Sequence, residues 1–293
     1  MRTFMAAVLA VLALAQPALA QSPVRSLAEI LEQSPAVDWR AVDPENTLYM
    51  DLPGGRVIIE LAPAYAPNHA ANIRALARTH YFDGAAIVRS QENYVVQWGR
   101  DEDDATPFGD AQRSLPGEFE RSRRGVAVTR LRDPDSYARE VGFAGGFPVA
   151  GQNGLTWLAH CYGMVGAGRG DTADSGSGAE LYVVIGHAPR HLDRNVTLVG
   201  RVLQGMELLS VMPRGTGPLG FYETPAERTT IASVRLASAL PENERVNLET
   251  LRTDSATFRD VIDSRRTRRE PWFLQPTGRI NVCNVPLPVR AAR

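Results

Sequence analysis

The sequence predicts a mainly β protein, an antiparallel barrel or sandwich carrying two helices. Three observations predict it. Short apolar or alternating runs recur between glycine- and proline-rich turns. Only two stretches in the central part of the chain show helical apolar spacing. A chain of 293 residues with 44% hydrophobic content is long and apolar enough to build a sizeable core with extensions, or two domains.

The elements follow in order. Ser26-Leu27-Ala28-Glu29 is a capping box that starts a short helix, and Ser34-Pro35 ends it. Residues 47–52 alternate polar and apolar, Pro53-Gly54-Gly55 turns the chain, and residues 56–61 return, giving a hairpin. Ala66-Pro67 opens a helix with its proline in the first turn, and Ala70, Ile73, Leu76 and Ala77 form its apolar stripe. After the turn Phe82-Asp83-Gly84, Ile87-Val88 and residues 94–98 read as strands. Residues 100–160 read as long loops with short strands at 125–130 and 155–161. Met164-Val165, 181–185, 197–202 and 230–237 are further strands, with a helix at 205–211 that Pro213 stops. Beyond Pro241, Leu251, Phe258, Val261 and Ile262 predict a helix and residues 280–285 a last strand. No internal repeat is visible.

Composition excludes several chemistries. All 32 basic residues are arginine, which removes a P-loop lysine, a Schiff-base lysine and a kinase strand lysine. Two cysteines exclude a four-cysteine zinc site and a disulfide-dense scaffold. A net charge of −1 gives no reason to expect nucleic acid. Individual motifs fail on context. Gly166-Ala167-Gly168-Arg169-Gly170 lacks the strand–loop–helix setting of a phosphate loop. His187 and His191 have helical zinc spacing, but Pro189 lies between them, so no metal is expected. Gly176-Ser177-Gly178 does not complete a hydrolase elbow, and Asp101 to Asp104 lacks the glycine and glutamate of a calcium loop. The run from Arg265 to Arg269 reads as a solvated helix end.

Residues 1–20 read as a signal peptide: Arg2, an apolar run from Phe4 to Ala15, then Ala18-Leu19-Ala20 before Gln21. The apolar run is too short to span a bilayer comfortably, so the expected product is exported and periplasmic, with no membrane span after cleavage. In an oxidising compartment Cys161 and Cys283 can pair, which would tie the C-terminal tail to the body.

One ordered set of residues carries a resemblance. Arg89, Tyr94, Gln97 and Gly99, with Tyr81-Phe82-Asp83-Gly84 upstream, follow the spacing of an aromatic-rich turn, an F-H-R run, an aromatic and Q-G-G-D. Gly117-Glu118-Phe119, Gly163–Val165, Glu180–Val183, Leu192-Asp193, Val199-Gly200-Arg201-Val202 and Gly205-Met206-Glu207 continue it in order. The set resembles the cyclophilin family of peptidyl-prolyl isomerases over roughly residues 45–237.

The resemblance implies a closed antiparallel cyclophilin-like β-barrel with two flanking helices at 45–237. It would carry a large loop insertion at about 121–158. A helical arm at 21–44 would precede it and an extension at 238–293 would follow. It implies cis/trans isomerisation of X–Pro bonds in proline-containing segments of exported proteins, without a cofactor; the oligomeric state stays open. By resemblance Arg89 is catalytic. Tyr94 and Tyr182 are aromatic pocket walls, and Leu192 is the floor, with His191 before it at a ring-bearing position. Gln97 holds substrate backbone and orients the arginine, and Gly168 and Arg169 belong to a segment that pairs with the substrate main chain. Glu180 stands where the family has glutamine, within reach of pairing with Arg89. The family's F-H pair is Ile87-Val88 here, both pocket phenylalanines are tyrosines, and the distal histidine aligns with Val196. These departures keep open a catalytically weak peptide-binding or scaffold protein.

Overall fold

A computed structural model describes residues 25–101 and 103–293. The expected signal peptide and the first four residues of the arm lie outside the described residues.

The N-terminal arm holds α1 (Leu27–Glu32) and β1 (Trp39–Ala41). The central chain holds β2 (Thr47–Leu52), β3 (Gly55–Leu61), α2 (Pro67–Arg78), β4 (Ala86–Ser90) and β5 (Val95–Gly99). Next come β6 (Arg121–Ser122), β7 (Thr129–Arg130), β8 (Glu140–Ala144), β9 (Phe147–Gln152) and β10 (Leu155–Leu158). They are followed by β11 (Met164–Ala167), β12 (Leu181–Val184), β13 (Leu198–Gln204), α3 (Met206–Ser210), β14 (Thr229–Thr230) and β15 (Ser233–Leu236). The C-terminal part adds β16 (Leu248–Leu251), α4 (Ala256–Thr267) and β17 (Val289–Ala291). No helix among the described residues is long and apolar enough to cross a membrane.

Nine strands form a curled antiparallel sheet in the order β14-β4-β5-β12-β11-β13-β3-β2-β15. The expected closed barrel is corrected here, because the ladder does not close. Its two edges are halves of one segment, in which β14 pairs with β4 and β15 with β2. Between them Ile231, fully buried, donates to the Ala85 carbonyl, and Ala232 donates to the Asp51 carbonyl. The segment steps from one edge to the other instead of pairing along both.

The barrel core contains Met50, Val57, Ile59, Trp98, Val165 and Val183. The apolar stripe of α2 (Ala70, Ile73, Leu76, Ala77) packs into it, each large aliphatic contributing about 1.5–3 kcal/mol by leaving water. Glu118 caps α2, accepting from the backbone N–H groups of Asn68 and His69 at 3.0 and 2.9 Å.

The insertion departs from its reading as loops. β6 to β10 form a five-stranded antiparallel sheet in the order β6-β10-β9-β8-β7. Two-residue turns join its central strands, Gly145-Gly146 between β8 and β9 and Asn153-Gly154 between β9 and β10. All four residues have positive φ, as the turn that matches strand twist requires. The arm and the C-terminal extension supply a second sheet, β1-β16-β17. Arm, insertion and extension then share one second core, including Ile30, Trp39, Phe143, Trp157, Phe258 and Ile262. Arg266 at the end of α4 pairs with Asp133 at 2.7 Å, so part of the basic run fastens the helix to the insertion. The expected strand at 280–285 is instead a 3-10 turn at Val282–Asn284, with the Asn281 side chain accepting from Cys283 N–H. Cys283 is joined there to Cys161, 122 residues earlier in sequence.

Candidate active site

One rung across four strands builds the site. Arg89 on β4 stands opposite Gln97 on β5, Gln97 opposite Tyr182 on β12, and Tyr182 opposite Gly166 on β11. Residues opposite one another in a sheet share a face, so the rung sets arginine, amide and aromatic ring side by side. A register shift between Ile87 and Arg89 is what brings Arg89 to Gln97.

The half-buried Arg89 guanidinium is held from several directions. Its Nη1 donates to Gln97 Oε1 at 3.0 Å, its Nε to the Leu219 carbonyl at 2.7 Å, and its Nη2 to Gln91 Oε1. It lies over the rings of Tyr94 and Phe221, at 5.4 and 5.2 Å from their centroids. A guanidinium has five N–H donors, so two are left without a partner among the described residues. Burial lowers the Arg89 pKa, against the opposing pull of Tyr94 and Glu180, yet an arginine so placed still carries its charge.

Gln97 is oriented at both ends, because its Nε2 donates to Glu180 Oε1. Glu180 therefore meets Arg89 through Gln97, with no direct ion pair of the kind open from sequence. Burial raises the Glu180 carboxyl above its ordinary value, with Gln97 and Arg89 pulling it back. Gly168 donates its backbone N–H to the Glu180 carbonyl at 2.8 Å, and a Cβ added at Gly168 would press on the Glu180 side chain at 3.2 Å and on Gln97 Nε2 at 3.4 Å. Arg169 turns away from this cluster, donating to the carbonyls of Asn195 and Gly170 at 2.9 and 2.6 Å.

Two of the residues expected to wall the proline pocket, Tyr94 and Tyr182, meet in a small apolar cluster of Val95, Tyr182 and Val184 with Tyr94 and Val196 packed against it. His191 stands parallel to Tyr94, ring centroids 6.3 Å apart. Leu192 sits on the same short 3-10 turn, Arg190–Leu192, half-exposed and outside that cluster. Beside His191 opens a cleft of about 610 Å³, also lined by Phe119, Tyr137, Trp157 and Arg194. The insertion thus lines this cleft on the His191 side of the cluster.

The Tyr182 hydroxyl is 2.8 Å from His160 Nε2, and His160 Nδ1 is 2.9 Å from Asp193 Oδ1. His160 was not among the residues singled out in the sequence, and a lone histidine just before Cys161 offered no spacing signal. Leu219 and Phe221 were missed for a related reason: they lie about 130 residues from Arg89 in sequence. Gln91, two residues from Arg89, was open to notice.

The anchored arginine, the amide beside it and the aromatic rings stand together on one side of a curled antiparallel sheet. Residues 47–236 match the cyclophilin type peptidyl-prolyl cis-trans isomerase family, and the chain belongs to it. It is 26% identical over 177 residues to a probable peptidyl-prolyl cis-trans isomerase of Brucella suis biovar 1, across 60% of this chain and 76% of the relative. The Brucella abortus counterpart is 25% identical over the same length. Among solved structures, the cyclophilin AquaCyp293 from Hirschia baltica superposes with a TM-score of 0.70 at 25% identity, covering 87% of this chain and 94% of that one.

Proposed function

We propose that this peptidyl-prolyl isomerase is exported to the periplasm and acts on X–Pro bonds of exported polypeptides, with Arg89 as its catalytic residue. The observation that carries the mechanism is the fixed Arg89–Gln97 pair, set over Tyr94 with two guanidinium donors to spare.

An X–Pro bond rotates over a barrier of about 18–20 kcal/mol because amide resonance is lost in the twisted state. In that state the prolyl nitrogen regains a lone pair. An arginine donating to it stabilises the twisted amide over both planar forms, which is the differential binding catalysis requires. A charged hydrogen bond of this kind contributes about 1.5–3 kcal/mol, and Gln97, Gln91 and the Leu219 carbonyl spare the guanidinium the reorganisation that would consume it. Tyr94, Tyr182 and Val196 offer the proline ring an apolar seat. No metal, cofactor or nucleophile enters the scheme. Export is supported by the N-terminal signal pattern and by the Cys161–Cys283 bond, which suits an oxidising compartment.

The test is acceleration of cis/trans exchange in a proline tetrapeptide by the mature protein, with Arg89→Ala as control. Full activity in a correctly folded Arg89→Ala variant would overturn the mechanism. Tight binding of proline peptides with no acceleration by the wild type would select the scaffold alternative. Fractionation of native cells, with the protein recovered in the cytoplasm at full length, would overturn export.

A further inference from the structure

A buried polar chain backs the pocket. It runs from Tyr182 to His160, then to Asp193, Arg190 and Asp135. Every side chain in it is more than nine-tenths shielded from solvent. Asp193 accepts from Arg190 Nε at 2.6 Å, Trp157 Nε1 at 3.3 Å and the His160 backbone N–H at 2.9 Å, as well as from the His160 ring. Arg190 in turn is held by both oxygens of Asp135, at 2.9 and 3.2 Å. Asp135 and Trp157 belong to the insertion and His160 stands two residues beyond the end of β10.

The proton positions follow from chemistry. An ionised carboxylate only accepts, so the hydrogen between His160 and Asp193 sits on Nδ1. Asp193 stays ionised because Arg190 and His160 offset the burial that would raise it. Burial disfavours the charged imidazole, so His160 is neutral and its Nε2 carries a lone pair. The Tyr182 hydroxyl must then donate to Nε2. A tyrosine in an apolar pocket otherwise leaves a hydroxyl to be satisfied at a cost of about 1–3 kcal/mol, or satisfied by the substrate in a wrong pose.

We propose that His160 is a positioning residue of the isomerase pocket: through the Asp193–His160–Tyr182 chain it draws the Tyr182 hydroxyl to the rear and holds the ring as an apolar wall. The proposal rests on the reading of this groove as the proline site. It gives the insertion a role that neither a lid nor a groove extension would have. Arg190 and Asp135 brace Asp193, and Asp193 sets the histidine tautomer.

Two measurements test it. In the ¹⁵N spectrum of the wild-type protein near neutral pH, His160 is expected to show a protonated Nδ1 and an unprotonated Nε2. A protonated Nε2 would overturn the proposal, and this readout needs neither a variant nor activity, so it fails or stands apart from the isomerase reading. The second is a double-mutant cycle. His160→Asn keeps a donor toward Asp193 but removes the acceptor for Tyr182, and is expected to raise KM for a proline peptide severalfold with a smaller change in kcat. His160→Gln, which can place an oxygen near the Nε2 position, is expected to restore much of the loss. In a Tyr182→Phe background His160→Asn should add little. Equal losses in both backgrounds, or no difference between the asparagine and glutamine variants, would show that His160 acts only on the fold.

Discussion

Gln97 accepts from Arg89 at 3.0 Å with one end of its amide and donates to Glu180 with the other. The amide therefore cannot flip without breaking both bonds, and its orientation is built in before substrate arrives. That is the preorganisation from which a positioned donor draws its catalytic value.

Arg89→Lys separates charge from geometry. Lysine keeps the positive charge but has no planar fork to serve Gln97, Gln91 and Leu219 while still reaching the prolyl nitrogen. The expected loss in kcat/KM for Arg89→Ala is on the order of tenfold to a hundredfold, matching about 1.5–3 kcal/mol, with Arg89→Lys nearer the alanine variant than the wild type. An undiminished lysine variant in the tetrapeptide assay would mean that bare charge suffices.

Glu180→Gln keeps an oxygen to accept from Gln97. Burial raises the Glu180 carboxyl above its ordinary 4.5, so the folded chain holds this proton more tightly than the unfolded one. The group's stabilising contribution is therefore full below about pH 4.5 and is lost as pH rises through the folded value. Urea titrations should find the variant more stable than wild type at pH 7, with the gap closing toward pH 4. A gap that does not change with pH would contradict this.

Gly166 is the rung residue under Tyr182, and a Cβ there would overlap the tyrosine ring. Gly166→Ala should cost about 1–3 kcal/mol of stability by overpacking and weaken proline-peptide binding by displacing the ring. Calorimetric titration with wild-type affinity for the alanine variant would refute the placement.

His160 makes the fold acid-sensitive. Its pKa is lowered by burial from an ordinary 6.5, so the unfolded chain binds a proton that the folded chain refuses. The corresponding stability is present above about pH 6.5 and falls away as the pH drops below it. Thermal melts of wild type and His160→Gln at pH 7.5 and 5.5 should show the larger decrease in wild type; parallel decreases would count against it.

Cys161–Cys283 closes a loop of 122 residues through the second core. The chain-entropy account assigns such a loop about 4–5 kcal/mol. Reduction, or the paired serine variant, should lower the urea midpoint clearly. Intact masses differing by two hydrogens before and after reduction would report the bond, and unchanged mass would remove it.

Local chemistry made much of this protein legible in its sequence. The capping box at Ser26, the stripe of α2, the β2–β3 hairpin and the order of strands from β11 to β13 all depend on neighbours a few residues apart, and each stands where it was read. The insertion hairpins carried their signals too, in Gly145-Gly146 and Asn153-Gly154. Those were hidden among the glycines of strands whose apolar faces have no clear period. Family spacing drew attention to Arg89, Tyr94, Gln97, Glu180 and Tyr182. Tertiary structure alone decided how they meet. The register shift at β4 set Arg89 opposite Gln97, Leu219 and Phe221 closed over the guanidinium from a distant loop, and His160 reached the Tyr182 hydroxyl. The arm, insertion and extension looked like three appendages in the sequence and became one core, because their apolar faces cover one another and meet Ala62, Tyr65, Met164 and Leu198 of the central domain.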